Sequence, residues 1–277
     1  MAAKVSELGR LTAAERQRYD ADGYLVREAV FDARERAEII DACESLVQRL
    51  ITNRQENRVK ASNYVFDSDI EKGVMIKWEG DTDVVHGIEP FAHLSPELTR
   101  CAYDARFIEP MKDLVGCDDP RLYTEKLNLK RPRVGGHNPL HQDFPYWERA
   151  SDGAADIYTA MLFLDDSNLA NGCLWAIPGS HRAGKWTTRT DGDRFASNEV
   201  DVAAYPNAKA VPLEVPAGSI VYFGAFLVHR SAGNTSEKER RALLYSYQPP
   251  GRRTQLDNFR ESVRRAQERQ RQQQTKA

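Results

Sequence analysis

Long apolar runs, paired cysteines and an excess of charge of either sign are all missing from this chain, and each absence removes a class of protein. No stretch approaches the roughly 20 consecutive apolar residues that span a bilayer. The opening MAAKVSELGRLTAAERQRYD lacks the apolar segment of a signal peptide. The four cysteines, Cys43, Cys101, Cys117 and Cys173, form no CxxC pair, which argues against a zinc knuckle and against a disulfide framework. Reduced thiols, and hence a cytoplasmic protein, are the expectation. Lys plus Arg number 39 against 41 Asp plus Glu, a formal net charge of −2, so no polycationic surface announces a nucleic acid. Nor is there a glycine-rich phosphate loop, since RVGG and GRRTQ are too sparse to form one.

What is present is an ordinary globular composition, with 41% of the 277 residues hydrophobic. A chain of this length buries enough surface to stay folded without a disulfide or a structural metal. LTAAERQRYDADG carries a reciprocal helix cap, Thr12 with Glu15, and a stop at Gly23. YLVREAV reads as a strand. FDARERAEIIDACESLVQRL repeats the cap with Asp32 and Glu35, and Ile39, Ile40, Cys43, Leu46, Val47 and Leu50 recur at helical spacing. That helix is expected to cover one face of a sheet. Residues 52–92 are polar with one strand candidate, GVMIKWEG, and residues 95–116 read as two short helices between Ser95 and Gly116.

From residue 121 short segments rich in β-branched and aromatic residues take over: RLYTEKLNLKR, DIYTAMLFLDD, CLWAIP, AVPLEV, SIVYFGAFLVH and RALLYSYQP. Helices first and strands after, without βαβ alternation, predict an α+β, mainly β fold built on an antiparallel barrel or jelly roll. The expected organisation is a single domain over 1–250, helical at 12–116 with a strand-rich core at about 121–249. A basic, glutamine-rich tail at 251–277 is expected to be a solvated helix that frays.

The chemistry concentrates in PLHQDFPYW. His141 and Asp143 stand one residue apart, and on an extended segment residues i and i+2 point to the same side. His229 ends the apolar run SIVYFGAFLVH and supplies a third ligand from the barrel interior. Two imidazoles and one carboxylate are the ligand set of non-haem iron(II) oxygenases, which leaves coordination sites for a 2-oxo acid and dioxygen. A bound 2-oxo dicarboxylate needs a cation for its far carboxylate, and arginine binds both oxygens. Arg240 follows His229 by eleven residues; a hairpin over RSAGNTSEKE would return it beside His229. Arg241 belongs to the opposite face, so only one of the two points inward.

Other polar residues have plainer readings. The HxxxH spacing of His137 and His141 lacks the helix and glutamate of a zinc protease. His181 in PGSHR reads as a turn residue, His86 and His93 as solvated loop residues, and Asp165 and Asp166 as turn and capping residues. The aromatics Phe144, Tyr146 and Trp147 suit either core packing or the mouth of a pocket, and their position after the metal loop favours the pocket, with Phe226 grouped alongside.

PLHQDFPYW, NGCLWAIPGSHR and VHRSAGNTSEKERRALLYSY together resemble the phytanoyl-CoA dioxygenase family of Fe(II)/2-oxoglutarate oxygenases, over about residues 12–250. The resemblance implies a double-stranded β-helix buttressed by helices. It implies iron on His141, Asp143 and His229, 2-oxoglutarate on Arg240, and dioxygen as co-substrate. Asn128 or Lys126, Met161, Lys77 and Trp175 match less sharply the family positions around 2-oxoglutarate. Related halogenases replace the carboxylate ligand with a small residue; Asp143 is present, so hydroxylation of a small-molecule metabolite is expected, with 2-oxoglutarate converted to succinate and CO2. The loops at 52–92 and 181–209 are expected to select the substrate. The rival reading, a non-catalytic jelly roll that binds a small molecule or a metal, requires neither the ligand set nor the arginine.

Overall fold

The computed structural model describes residues 9–52, 59–61, 64–69, 72–80, 82–151, 153–189 and 198–274. Helix α1 (Ala13–Asp22) starts at the reciprocal Thr12–Glu15 cap and ends where Gly23 takes φ +81°. Strand β1 (Tyr24–Arg27) leads to α2 (Ala33–Thr52), capped the same way, with the Glu35 N–H donating to Asp32 and the Asp32 N–H to Glu35, both at 2.9 Å. Four short strands follow: β2 (Val59–Ala61), β3 (Tyr64–Asp69), β4 (Val74–Trp78) and β5 (Val85–Glu89). Then come α3 (Pro96–Ala102), capped by Ser95, and α4 (Ala105–Val115), which stops at Gly116.

The remaining elements are β6 (Arg121–Lys130), β7 (Asn138–His141), one-turn helix α5 (Phe144–Trp147), β8 (Tyr158–Phe163), β9 (Leu174–Ala176), β10 (Val211–Leu213), β11 (Ile220–Gly224), β12 (His229–Ser231), β13 (Arg240–Gln248) and α6 (Gln255–Gln274). All strand pairs are antiparallel and make two sheets. The larger runs β1-β11-β8-β13-β6-β5-β4-β3-β2 and the smaller β10-β9-β12-β7. This is the mainly β jelly roll expected, with helices against the outer face of the larger sheet. Among the described residues no helix is long and apolar enough to cross a membrane.

The strands read as nearly continuous apolar runs because the larger sheet is covered on both faces. Along β13, Leu243, Tyr245 and Tyr247 join the core under the helices, while Ala242 and Leu244 face the space between the sheets. Strands β8 and β11 alternate likewise: Ala160, Leu162, Ile220 and Tyr222 face the helices, and Met161, Phe163, Val221 and Phe223 face the smaller sheet. Helix α2 buries Leu46, Val47 and Leu50 in the outer core, a contribution of roughly 1.5–3 kcal/mol for each side chain. The outer tyrosines also latch the helices. The Tyr222 hydroxyl donates to the Arg106 carbonyl at 2.7 Å and the Tyr245 hydroxyl to that of Leu98 at 2.9 Å.

Several elements depart from the sequence expectation. The span 12–116 holds more strand than expected: β1 and β4 are the strands read in YLVREAV and GVMIKWEG, but β2, β3 and β5 join the larger sheet as well. Strands β2, β3 and β5 lack the apolar period that marks a strand in isolation, and continue the sheet by backbone pairing on β4 and β6. SIVYFGAFLVH is not one strand. Strand β11 stops at Gly224, a turn closes with the Leu227 N–H on the Gly224 carbonyl at 3.0 Å, and His229 opens β12 in the other sheet. RSAGNTSEKE is therefore a crossing between sheets, with β12 between β7 and β9 and β13 between β6 and β8. The tail helix α6 docks on the body, where Tyr123 donates to Gln255 at 3.0 Å and Asn258 to the Ala150 carbonyl at 2.7 Å.

His86 is a further correction: it is 3% exposed on β5, not solvated, and its Nδ1–H donates to Glu79 at 2.6 Å. Burial pushes its pKa down to about 4, with Lys77 adding to the effect and Glu79 opposing it. The folded protein thus binds fewer protons than the unfolded chain between about pH 4 and 6.5. The stability that depends on neutral His86 is intact above that window and is lost as pH falls through it. The urea midpoint of the wild type should fall across this window more steeply than that of His86→Asn; parallel profiles would show that His86 does not titrate there.

Candidate active site

Three ligand atoms meet at one end of the smaller sheet. His141 closes β7 and pairs directly with His229 on β12, their ring centroids 4.3 Å apart. The strand ends at His141: Asp143 has φ −74° and ψ −28° at the head of α5, so a turn into a helix, not a continued extended segment, brings its carboxylate round. The His141 Nδ1 lies 2.7 Å from the Pro139 carbonyl and the His229 Nδ1 lies 3.0 Å from that of Leu227. A carbonyl only accepts, so each Nδ1 carries a proton and Nε2 is left as the nitrogen available to a metal. The His141 Nε2 is 3.8 Å from Asp143 Oδ1, and the ligand atoms of His141, Asp143 and His229 all lie within 4.8 Å of one another. Burial, with His229 adding to it, holds the His141 pKa well below its usual value, so the ring is neutral, as a metal ligand must be.

The residue between His141 and Asp143 anchors the loop. Gln142 is 1% exposed; its amide donates to the carbonyls of Gly184 at 2.8 Å and Phe226 at 2.7 Å, and its oxygen accepts the Trp186 N–H at 2.8 Å. From the larger sheet comes Arg240. Its even number puts it with Ala242 and Leu244 on the inner face, where it is 1% exposed and its guanidinium lies 5.1 Å from the Phe163 ring centroid. Its Nε–H finds no acceptor, and no carboxylate pairs with it among the described residues. Burial lowers its pKa to about 10, so it remains charged near neutral pH. Arg241 points to the other face and binds Asp165 through two nitrogens at 2.8 and 2.9 Å. Directly opposite Arg240 on β6 is Lys130, which donates to the carbonyls of Gly136 and Ala232, residues flanking the outer ends of β7 and β12.

His141, Asp143, His229 and Arg240 share a cavity of about 370 Å³, within the range of small-molecule sites. A buried cation without a counter-ion, facing two imidazole nitrogens and a carboxylate, fits an iron ion chelated by an acid whose far carboxylate reaches the arginine. The sequence model of the phytanoyl-CoA dioxygenase family (PhyH) matches residues 19–242.

The chain belongs to the phytanoyl-CoA dioxygenase family.

It is 26% identical over 273 residues to a phytanoyl-CoA dioxygenase of Arabidopsis thaliana, a match covering 91% of this chain and 94% of that protein. It is 31% identical over 195 residues to L-proline trans-4-hydroxylase of Streptomyces griseoviridis, covering 61% and 69%. In fold it is similar to the crystal structure of EctD from S. alaskensis with bound Fe, with a TM-score of 0.66 at 23% identity over 86% of this chain and 76% of that one. As a family member the protein is an oxidoreductase, an iron- and 2-oxoglutarate-dependent dioxygenase on a double-stranded β-helix.

Most sequence-predicted positions of this dioxygenase meet at the cavity. His141, Asp143, His229, Arg240, Lys77, Lys126, Asn128 and Met161 all line it, as do Tyr146 and Trp147. Pairing puts Lys77 opposite Gly87 and Gly87 opposite Asn128, a row across β4, β5 and β6. Trp175, Phe144 and Phe226 are not among the lining residues. Trp175 lies between Leu174 and Ala176 on β9 and so turns to the opposite face, under the Arg230 guanidinium at 4.5 Å. Phe144 and Phe226 stack on each other at 4.5 Å. Sequence reasoning missed Gln142, whose role depends on carbonyls brought from two distant loops. It also missed Lys130 and the cavity residues Glu199 and Gln255.

Gln142→Leu keeps the size of the side chain and removes three hydrogen bonds, so its affinity for a divalent metal should fall about tenfold or more. Arg241→Ala, altered on the far face, should lose stability and keep its metal affinity. Equal metal affinity in Gln142→Leu and wild type, measured by competition with a chromophoric chelator, would show that the loop is held without Gln142.

Proposed function

We propose that His141, Asp143 and His229 hold iron(II), that Arg240 binds the far carboxylate of 2-oxoglutarate, and that the enzyme hydroxylates an unactivated C–H bond of a small-molecule metabolite. The observation that carries this reading is Arg240: a fully buried guanidinium with an unpartnered N–H, lining the same cavity as the ligand set. A buried charge without a partner is strongly unfavourable, and a carboxylate of the co-substrate removes the deficit.

When bound, iron(II) and 2-oxoglutarate supply dioxygen activation, with one oxygen atom going to succinate as CO2 leaves and the other to the substrate C–H bond. The chain's own residues bind, orient and exclude water. The two carbonyl-held imidazoles present fixed lone pairs, so the metal meets a pre-organised site. Arg240 sets the direction of the co-substrate, with Asn128 and Lys77 on neighbouring strands as further polar contacts and Met161 as an apolar wall. Lys126 forms an ion pair with Glu89 at 3.2 Å, which makes it the weaker candidate of the pair Asn128 and Lys126. The carboxylate ligand Asp143 supports hydroxylation over halogenation, and the similarity to a protein named as a proline hydroxylase supports a small-molecule substrate.

The test is an anaerobic spectrum of the protein with Fe(II) and 2-oxoglutarate. A weak visible metal-to-ligand charge-transfer band is expected, absent in His229→Ala. Arg240→Ala should weaken 2-oxoglutarate binding by about 2–5 kcal/mol, as loss of a buried charge pair does, while Arg241→Ala leaves it unchanged. No band in folded, metal-loaded protein would overturn the reading. Transfer of the defect to Arg241→Ala would overturn the assignment of the clamp.

A further inference from the structure

We propose that the cavity selects a compact substrate bearing a protonated amine or equivalent cationic nitrogen, held by the Glu199 carboxylate beside Tyr146, with its apolar body turned toward the metal ligands. The proposal rests on the oxygenase reading above and names its substrate class. It follows from the charges lining the cavity. Asp143 belongs to the metal, Glu89 is paired with Lys126 at 3.2 Å, and the Arg230 guanidinium is drawn over Trp175 on the other face of the smaller sheet. Arg240 answers to the co-substrate, as does Lys77, the remaining cation of the lining, in the row with Asn128. Glu199 is left over: it lines the cavity, and its carboxylate makes no hydrogen bond or ion pair with any described residue.

Its direction is set by backbone. Glu199 forms a β-bridge with His141, the Val200 N–H donates to the Leu140 carbonyl at 2.8 Å, and the Arg189 N–H donates to the Glu199 carbonyl at 2.9 Å. Successive residues of an extended segment face opposite ways. Val200 is 4% exposed in a cluster with Ile177, Trp186 and Val228, so Glu199 turns the other way, into the cavity. Tyr146 stands edge-on to His141 at 5.8 Å and lines the same cavity. A carboxylate beside a neutral aromatic ring is the usual means of recognising an ammonium group. Met75, Ile88, Trp147, Leu174, Phe223 and Leu244 supply an apolar lining for the rest of the molecule. Partners across an antiparallel pair have Cα atoms about 4.5–5.5 Å apart, so Glu199 and His141 project side by side into the cavity from neighbouring backbone positions.

The test uses the full chain loaded with Zn(II) and 2-oxoglutarate, with n-butylammonium, 1-butanol and butyrate as probes and saturation-transfer NMR as the readout. Butylammonium should bind about tenfold more tightly than 1-butanol, with butyrate weaker than either. Glu199→Gln should reduce butylammonium to the level of 1-butanol, and Glu199→Lys should shift the preference to butyrate, both with unchanged circular dichroism. Equal binding of butylammonium and 1-butanol by the wild type, or a preference that survives in Glu199→Gln, overturns the proposal. The charge-transfer band of the iron-loaded protein separates the two readings. A Glu199-dependent preference without the band leaves the cation site standing and removes the oxygenase; the band without the preference removes the cation site alone.

Discussion

A guanidinium sealed inside the protein, with no carboxylate paired to it among the described residues, is the constraint on which the rest of this structure depends. Arg240 is not isolated: Lys130, equally buried, stands directly across from it. Burial and the arginine's charge bring the lysine pKa down to about 7, and its donors are spent on two carbonyls. Two cations side by side in a low-dielectric interior repel each other. The larger sheet holds them there because each sits at a register position from which its backbone cannot withdraw.

The two sheets divide the labour. The smaller sheet and the turn after it carry His141, Asp143 and His229, each imidazole oriented by a carbonyl two residues earlier in its own chain segment. The larger sheet carries the cation and most of the apolar wall. Lys130 ties them together, since the two carbonyls it binds lie just before β7 and just after β12. The His141–Asp143–His229 group and Arg240 are thereby fixed relative to each other by packing between sheets, without a covalent bridge.

Much of this was legible in the residues because the chemistry uses types that a sheet seldom buries. HQD before the strands, a histidine after an apolar run and an arginine opening β13 stand out against Val, Leu and Tyr, and strict alternation makes Arg240 and Arg241 face opposite ways. What could not be read is what depends on partners distant in sequence. The break at Gly224 leaves His229 at the start of a strand rather than the end of one, because apolar character persists while the chain changes sheets. His86 lies in a stretch, residues 52–92, that is polar as a whole, yet it is buried on β5 beside β4 and bonded to Glu79. Trp175 joined a block of apparent pocket residues, but a strand presents alternate residues to alternate sides. Gln142 and Glu199 are positioned by backbone groups that only the fold brings near.

Gly87 sits in the middle of the row from Lys77 to Asn128, and a Cβ there would come within 2.9 Å of the Leu127 carbonyl oxygen and 3.3 Å of Asn128 Oδ1. That oxygen belongs to the backbone of a buried strand and has no rotamer by which to step aside. The floor of the cavity is therefore closed to mutational tuning at this point. The wall residues Tyr146, Glu199 and Gln255 come from three separate segments outside the larger sheet. Descendants of this chain are free to exchange those walls one at a time, so new substrate preferences can arise while the floor they are built on is inherited unchanged.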